Sequence, residues 1–416
     1  MTSSVINFLN QSPAPNLAVN SSIKHTAAKM HSKDLTKGEI RYIRRGGGSV
    51  FLYYLPSTWE PKNGLLLLGA HTDSPNLRIK ANPDYSSEGY QQLLVQPYGG
   101  LLSSTWMDRE LGLAGEVFLN ENGSIQRVDF LLDKPIALIP NLAIHLNRGV
   151  NEKGLVLNKQ KHLNPVFADN HSKQVPIEKI ISDHLSIDPA KILSYELSLF
   201  PIQPAALTGL NEEFLTSARL DNLLSCFCAC EAMVKYTQQN NQEKGLVVCL
   251  FDHEEVGSES PTGAGSNFLE ESLALLANGV ELNLMKEKSV FLSLDMSHGV
   301  HPNYAEMHGQ NHKPLLNHGP VLKIHQEQRY ATSAAGQAFI SLAAKEGEIP
   351  LQVYQHRSDL GCGSTIGPIA GARAGVETID LGNAMWAMHS SRETCGAHDI
   401  THLVNLILKA TETPLP

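Results

Sequence analysis

The stretch that decides the fold is Gly245–Ser260, GLVVCLFDHEEVGSES. Its first part, Gly245–Phe251, is short and almost wholly apolar, which predicts a buried strand in a parallel sheet. Glu254 and Glu255 follow it closely, and Val256–Gly257 then breaks the extended pattern. Two carboxylates at the end of a buried strand are costly unless positive charge lies beside them. The sequence here fits either a solvated acidic turn or a metal site, in which one glutamate is a ligand and the other moves a proton.

Two other apolar runs end in residues that bind metals. Gly64–Ala70 is followed by His71 and, two residues later, Asp73; Ser289–Leu294 is followed by Asp295. Because residues two apart share a face of an extended chain, Asp73 is placed to orient the His71 imidazole from behind. The carboxyl ends of parallel strands meet at one sheet edge, where ligands bind in open α/β proteins. We therefore expect these groups to converge.

Two further candidates come from a helix start and a loop. Asp221 precedes the helical segment Leu223–Tyr236, and His389 lies on a loop eight residues after the predicted strand Gly375–Leu381. Asp221 is either the N-cap of this helix or a group that points to the same sheet edge. Carboxylates and imidazoles suit zinc, cobalt or manganese. Two ions about 3.5–4 Å apart would need a bridging carboxylate and two or three further ligands each, which this set supplies.

Length, charge and cysteine usage limit the class of protein. At 416 residues the chain is long for one hydrophobic core, so two domains are expected. A net charge of −9 argues against nucleic acid and anionic membranes as partners. No apolar run approaches the roughly 18 residues of a membrane-spanning helix, and the first residues lack the features of a signal peptide. The six cysteines lack paired spacing, which predicts reduced core thiols and a cytoplasmic protein.

The middle of the chain differs from its two ends. From about Asn82 onward, short strand-like runs alternate with polar loops, and Asn120–Gly123 predicts a tight hairpin turn. The helix–strand alternation returns at Asn211. This pattern predicts a β-rich domain inserted into an α/β domain.

At the candidate metal ligands and in the stretches around them, the chain resembles the aspartyl aminopeptidase family of co-catalytic zinc metallo-aminopeptidases. The matching stretches span nearly the whole sequence: Ala70–Lys80, Ile139–Arg148, Gln203–Ala205, Ser217–Asn222, Glu254–Ser260, Asp295–Tyr304, Gly319–Tyr330, Gly363–Pro368 and Ala387–Arg392. Two departures stand out, because His253 replaces an expected smaller polar residue and the segment between Ser12 and Tyr42 fits the family poorly.

The resemblance implies a fold and a set of site residues. The fold is an α/β/α sandwich zinc-peptidase domain, residues 1–83 and 212–416, with an inserted β-rich dimerisation or lid domain, residues 84–211. The implied metal ligands are His71, Asp221, Glu255, Asp295 and His389. Asp221 would bridge the two ions, Glu254 would be the general base and Asp73 the partner of His71. The implied substrate contacts are His145, His298, Lys323 and Tyr330.

The resemblance also implies an activity and an assembly. The protein would be a cytoplasmic metallo-aminopeptidase that removes N-terminal Asp or Glu from peptides, with two divalent ions per subunit. Zinc is favoured, with cobalt and manganese as alternatives. The subunits would form a homo-oligomer built from dimers, as large as a tetrahedral dodecamer. Rival functions are a co-catalytic carboxypeptidase or deacylase with the same ligands, and a non-catalytic metal-binding assembly protein.

Two cations among the matching stretches are candidates for the charge that would recognise an acidic substrate. Lys323 lies in the apolar, strand-like run Gly319–Ile324. Its ammonium group either reaches solvent along its aliphatic stem or is held in a pocket, where Tyr330 could add a phenolic donor. Arg78 is the next cation among the matching stretches.

Overall fold

The computed structural model describes residues 1–32, 34–171, 174–240, 242–277 and 281–415. The described residues form two compact units: Met1–Asp73, Ala205–Met388 and Glu393–Pro416 make the first, and Ser74–Pro204 with His389–Arg392 the second. The predicted boundaries at 83/84 and 211/212, and the dimerisation role between them, stay predictions.

The first unit is built on a long mixed sheet, with strands numbered along the whole chain. Its strands are β1 Lys29–Met30, β2 Arg41–Arg45, β3 Ser49–Tyr54, β4 Leu65–His71, β13 Gly245–Phe251, β14 Val290–Leu294, β16 Val321–Ile324, β17 Gln352–Gln355 and β18 Glu377–Gly382. Their order is β1-β2-β3-β13-β4-β14-β18-β16-β17. The neighbours β13, β4, β14 and β18 run parallel, whereas β3 and β16 flank them antiparallel. The predicted parallel sheet is therefore its central part.

Helices cover both faces of this sheet. They are α1 Thr2–Asn10, α2 Pro15–Thr26, α5 Leu220–Tyr236, α6 Phe268–Leu276, α7 Leu282–Glu287, α8 Ala334–Glu346, α9 Ile366–Ala374 and α10 Asp399–Glu412. Alternate residues of β4 enter two separate cores: Leu66 and Leu68 pack with α5 and α10, and Leu67 packs with α6 and α9. This three-layer arrangement confirms the predicted α/β/α sandwich. The sequence pattern also predicts a helix over Asn267–Asn278; α6 spans Phe268–Leu276, and Asn278 lies outside the described residues.

A smaller sheet of the same unit combines strands that the sequence analysis did not identify. They are β11 Ala206–Thr208, β12 Phe214–Ser217, β15 Ser297–His298, β19 Ala384–Trp386 and β20 Glu393–Gly396, in the order β11-β12-β20-β19-β15. These strands span two to four residues each, too short for a reliable period-two pattern. The register places Glu393 of β20 opposite Ser217 of β12, and Ser217 lies four residues before Asp221.

The second unit is β-rich, as expected. Its sheet has the order β8-β7-β10-β5-β6-β9, formed by β5 Asn76–Ser87, β6 Tyr90–Tyr98, β7 Leu111–Glu121, β8 Ser124–Ala137, β9 Val166–Asp169 and β10 Ile192–Pro201. Its helices are α3 Val150–Lys153 and α4 Ile177–Leu185. The predicted turn at Asn120–Gly123 joins β7 to β8, and Asn122 there adopts a left-handed φ of 54°. The core of this unit lies between the sheet and α4.

The cysteines of the described chain are free thiols. Cys226, Cys228 and Cys230 are buried on α5, and burial raises the pKa of each thiol. Cys249 and Cys395 are buried as well, so the predicted core thiols are confirmed for five cysteines, while Cys362 keeps partial exposure. Among the described residues, no helix combines the length and the apolar character needed to cross a membrane.

Candidate metal centre and active site

His71, Asp221 and Glu255 form a cluster at the carboxyl edge of the central parallel strands. Each offers a ligand atom, and these atoms lie within 4.8 Å of one another. His71 ends β4, beside Phe251 at the end of β13, so the register places Glu254 and Glu255 next to it. The convergence predicted for these strand ends is therefore present in the structure, within one compact unit.

Two other carboxylates approach the same imidazole. The His71 Nε2 atom lies 3.4 Å from Asp221 Oδ1, 3.6 Å from Asp295 Oδ1 and 3.9 Å from Glu254 Oε2. The His71 side chain is 1% exposed, Asp221 5% and Asp295 12%. Such burial of several carboxylates around one imidazole is costly unless a cation is present.

The other ring nitrogen of His71 fixes its orientation. His71 Nδ1 donates to the backbone carbonyl of Asp73 at 3.0 Å, and Asp73 Oδ1 lies 3.4 Å away. In the neutral ring, Nε2 then presents its lone pair to the carboxylates. A lone pair facing carboxylate oxygens fits a cation between them, and imidazole with carboxylate is a donor set that zinc, cobalt and manganese accept. The residues present therefore fit a divalent metal.

Asp73 does more than face His71. Its side chain is fully buried, and its two carboxylate oxygens accept the backbone N–H groups of Glu254 and Glu255, each at 3.1 Å. Glu254–Val256 forms a single 3-10 turn after β13, entered through His253 in a left-handed conformation with φ 61°. Asp73 thus fixes the turn that carries both glutamates to the end of the neighbouring strand.

Asp221 is not the N-cap of its helix. Arg219 takes the cap position, and Asp221 lies within the first turn with non-helical dihedral angles. The Asn222 amide donates to the carbonyl of Leu294 at 2.8 Å, which joins the start of α5 to the strand that precedes Asp295. Asn222 was not singled out from the sequence, although it directly follows Asp221 in a matching stretch.

Burial and neighbouring charges perturb the two titratable groups nearest the cluster. Burial opposes protonation of His71, but the surrounding carboxylates, Glu254 foremost, raise its pKa well above the usual value. Burial, assisted by the charges of Asp295 and Asp221, raises the pKa of Glu254 to about 8, against the lowering effect of His71. A raised carboxyl pKa near the operating pH is typical of a general acid or base.

These shifts predict how metal stabilises the protein at different pH. In the metal-free protein, folded Glu254 keeps its proton between pH 4.5 and about 8, where the unfolded chain has lost it, so stability falls as pH rises. His71 acts with the same sign above pH 6.5. Metal competes with these protons. We expect the melting temperature of the metal-free protein to fall from pH 5 to pH 8. Over the same range, the rise in melting temperature on addition of zinc should become larger. A gain independent of pH would contradict these protonation states.

Lys323 is held in a pocket rather than extended to solvent. Its side chain is 1% exposed, and its Nζ atom lies 3.3 Å from Asp295 Oδ2 and 3.1 Å from the carbonyl of Met296. The ammonium also lies 5.2 Å from the centre of the Tyr330 ring. Asp295 thus presents one oxygen to His71 and the other to Lys323.

His298 lies on the same side-chain cluster. Its ring centre is 5.9 Å from that of Tyr354, which is itself 6.4 Å from Tyr330. Burial and then the charge of Lys323 lower the pKa of His298 to about 4. This imidazole is therefore neutral at physiological pH.

The remaining predicted residues belong to the second unit. His389 Nδ1 donates to the carbonyl of Gly100 at 3.1 Å, and His389 has a left-handed φ of 68°. His145 is exposed on the short 3-10 turn Ile144–Leu146. Arg78 pairs with Glu196 and stacks on Tyr98. The roles of His389 and His145 stay predictions.

Comparison with known proteins places the chain in a family. The model of the aminopeptidase I zinc metalloprotease (M18) family matches residues 8–410. A probable M18 family aminopeptidase 2 of Ectopseudomonas mendocina is 41% identical over 425 residues, covering 99% of this chain and 97% of that protein. In the cryo-EM structure of the Ape4 and Nbr1 complex, a chain with 34% identity superposes with a TM-score of 0.93, covering 97% of this chain and 84% of that one.

A second solved structure has a lower identity but the same architecture. The mApe1 dodecamer of S. cerevisiae is 25% identical, with a TM-score of 0.84 and coverage of 98% of this chain and 95% of that one. Together with the buried histidine–carboxylate cluster, these similarities establish that the chain belongs to the M18 family and is a metal-dependent aminopeptidase.

Proposed function

We propose that this aminopeptidase removes N-terminal Asp and Glu residues from peptides. The observation that carries the specificity is Lys323, a buried ammonium group 3.3 Å from Asp295 and directly beside the metal cluster. A carboxylate taken out of water needs such a charge or several donors. Tyr330, whose ring faces the ammonium, would add its hydroxyl group.

The proposed metal centre holds two divalent ions, zinc in preference to cobalt or manganese. Asp221 would bridge them, His71 and Asp295 would complete one site, and Glu255 and His389 the other. The clustering of His71, Asp221 and Glu255 within 4.8 Å supports this assignment. Bound ions would supply an acidified water and a polarised scissile carbonyl.

The chain's own residues would then handle protons and orientation. Glu254 would take a proton from the attacking water and deliver it to the leaving amine, a role that its raised pKa and its place beside the cluster support. Asp73 would keep Glu254 and Glu255 in position through their backbone N–H groups. The neutral imidazole of His298 is a donor for the developing oxyanion.

The proposed assembly is a homo-oligomer built from dimers, and the dodecamer of the yeast relative supports it. His145, exposed with the apolar neighbours Ile144 and Leu146, would contact substrate in the active site of a partner subunit. We further propose that the protein works in the cytoplasm. Its net charge of −9 favours peptide over nucleic-acid partners.

Acidic specificity predicts a selective effect of Lys323→Met. The variant leaves a substrate carboxylate desolvated and unpaired, which costs roughly 2–5 kcal/mol. We expect the ratio of kcat/KM between an Asp-peptide and the isosteric Asn-peptide to fall by about 30- to 4,000-fold. Metal content, measured by elemental analysis, should not change. Equal losses on both peptides would assign Lys323 to holding Asp295 instead.

One assay separates the proposed function from its rivals. Purified, zinc-loaded protein is given an Asp-peptide, the same peptide with an acetylated N-terminus, and an N-acetyl amino acid. An aminopeptidase cleaves the first substrate and neither of the others. Turnover of the N-acetyl amino acid would favour a deacylase, and failure on all three would favour a non-catalytic metal-binding protein.

A further inference from the structure

A buried glutamate outside the proposed ligand set contacts the backbone of its central member. Glu393 opens β20 and is 1% exposed. Its Oε2 atom accepts the backbone N–H of Asp221 at 3.1 Å. The pairing of β20 with β12 brings Glu393 opposite Ser217, four residues before Asp221. The contact therefore joins two segments that lie 172 residues apart in sequence.

The backbone at Asp221 depends on such side-chain contacts because it is not regular helix. Asp221 has φ −80° and ψ 104°, and Asn222 has φ −123° and ψ 23°. At a helix start the first N–H groups have no intrahelical partner. Here the Glu393 carboxylate accepts the backbone N–H of Asp221. The side-chain amide of the next residue, Asn222, donates to the carbonyl of Leu294. Both contacts hold the segment that carries the Asp221 carboxylate.

Arg219 supplies a counter-charge for Glu393. It precedes Asp221 by two residues, adopts a left-handed φ of 62° and interacts electrostatically with Glu393. Its side chain is densely surrounded but keeps some exposed surface. A buried carboxylate persists at low cost when it has both a paired charge and a hydrogen bond.

We propose that Glu393 is a positioning residue of the metal centre, which orients Asp221 by accepting its backbone N–H. This inference rests on the proposed role of Asp221 as a metal ligand. Outer partners of metal ligands usually change metal affinity by about 10- to 100-fold when they are removed.

Substitutions at Glu393 separate the acceptor from the charge. Glu393→Gln keeps an acceptor oxygen at the same reach and loses the charge; Glu393→Asp keeps the charge and withdraws the oxygen by one methylene. Glu393→Leu removes both. The zinc dissociation constant of the whole protein is measured by competition with a chromophoric chelator. We expect affinity within a few-fold of the parent for Gln, and losses of about 10- to 100-fold for Asp and Leu.

Asp399 provides a matched control in the same unit. It is also fully buried, and its carboxylate accepts the backbone N–H groups of Asn317 and Gly319 at 2.6 and 2.7 Å. Asp399→Leu should lower the melting temperature as Glu393→Leu does but leave zinc affinity of the folded protein unchanged. If Glu393→Leu does not fold, the zinc affinities of Glu393→Gln and Glu393→Asp still test the positioning role.

Three outcomes would overturn the inference. The first is a zinc affinity equal to the parent's in both Glu393→Asp and Glu393→Leu. The second is a weakened zinc affinity in Glu393→Gln together with the parent's affinity in Glu393→Asp. The third is a loss of zinc affinity in Asp399→Leu as large as that in Glu393→Leu. Asp221→Asn, measured in parallel, distinguishes the source of failure. If Asp221→Asn binds zinc as the parent does, the ligand assignment is wrong; if it loses zinc while Glu393→Leu keeps it, the positioning role is wrong.

Discussion

We expect Glu254→Gln to abolish peptide hydrolysis and to leave metal content near that of the parent protein. The glutamine side chain has the same shape but cannot accept a proton, so the variant lacks the proposed general base. Such a base contributes about 10²- to 10⁴-fold, and kcat should fall by at least that factor. Metal should remain because Glu255, not Glu254, belongs to the compact ligand cluster. Steady-state kinetics and elemental analysis on the same preparation measure both quantities.

The neighbouring glutamate is the matched control for this variant. Glu255→Gln should lose metal and activity together, because its carboxylate is a proposed ligand. Both residues lie on the same 3-10 turn and both have their N–H groups bound by Asp73, so the two substitutions perturb the backbone alike. The reverse pattern, with metal lost in Glu254→Gln and kept in Glu255→Gln, would exchange the two assignments.

Asp221→Asn should be the most damaging substitution among the ligands. A carboxylate that serves both ions, as proposed for Asp221, cannot be replaced by an amide without weakening both sites. We expect the zinc dissociation constant to rise by more than the about 10- to 100-fold typical of outer partners, with a matching loss of activity. Chelator competition measures the affinity. Full occupancy in Asp221→Asn, by elemental analysis at stoichiometric zinc, would contradict the bridging role.

Asp295→Asn is the peripheral comparison. Asp295 presents one oxygen to His71 and the other to Lys323, so its substitution should weaken one of the two proposed sites. The expected metal content of Asp295→Asn is therefore higher than that of Asp221→Asn. Equal depletion in both variants would indicate one ion rather than two.

The sequence predicted those elements whose pattern is strong in a short window. Gly245–Phe251 forms β13 with the predicted bounds, because its run of buried apolar residues fits a central strand covered on both faces. The convergence of His71 and Glu255 followed from the rule that parallel strands end at one edge, whereas Asp221 joins them from the start of a helix. In both cases local chemistry and topology agree.

What was missed depends on contacts between distant segments. The residues from Gln355 to Gly367 have the sequence pattern of a loop, yet Ile366 begins α9, because glycine and proline obscure the helical pattern there. The hydrogen bonds that Asp73 and Glu393 accept from ligand-bearing turns have backbone donors, which leave no trace in residue identity. Lys323 could be placed in a pocket only after β16 was seen between β17 and β18.

The central claim is that this aminopeptidase selects acidic N-terminal residues. Its most direct test is kcat/KM of the zinc-loaded parent protein on peptides that differ only in the first residue, Asp against Asn and Glu against Gln. These pairs match in size and differ in charge. A buried Lys323 that recognises the carboxylate predicts that Asp and Glu exceed their amides by about 30- to 4,000-fold. Equal rates within either pair, or faster cleavage of the amides, would contradict the account.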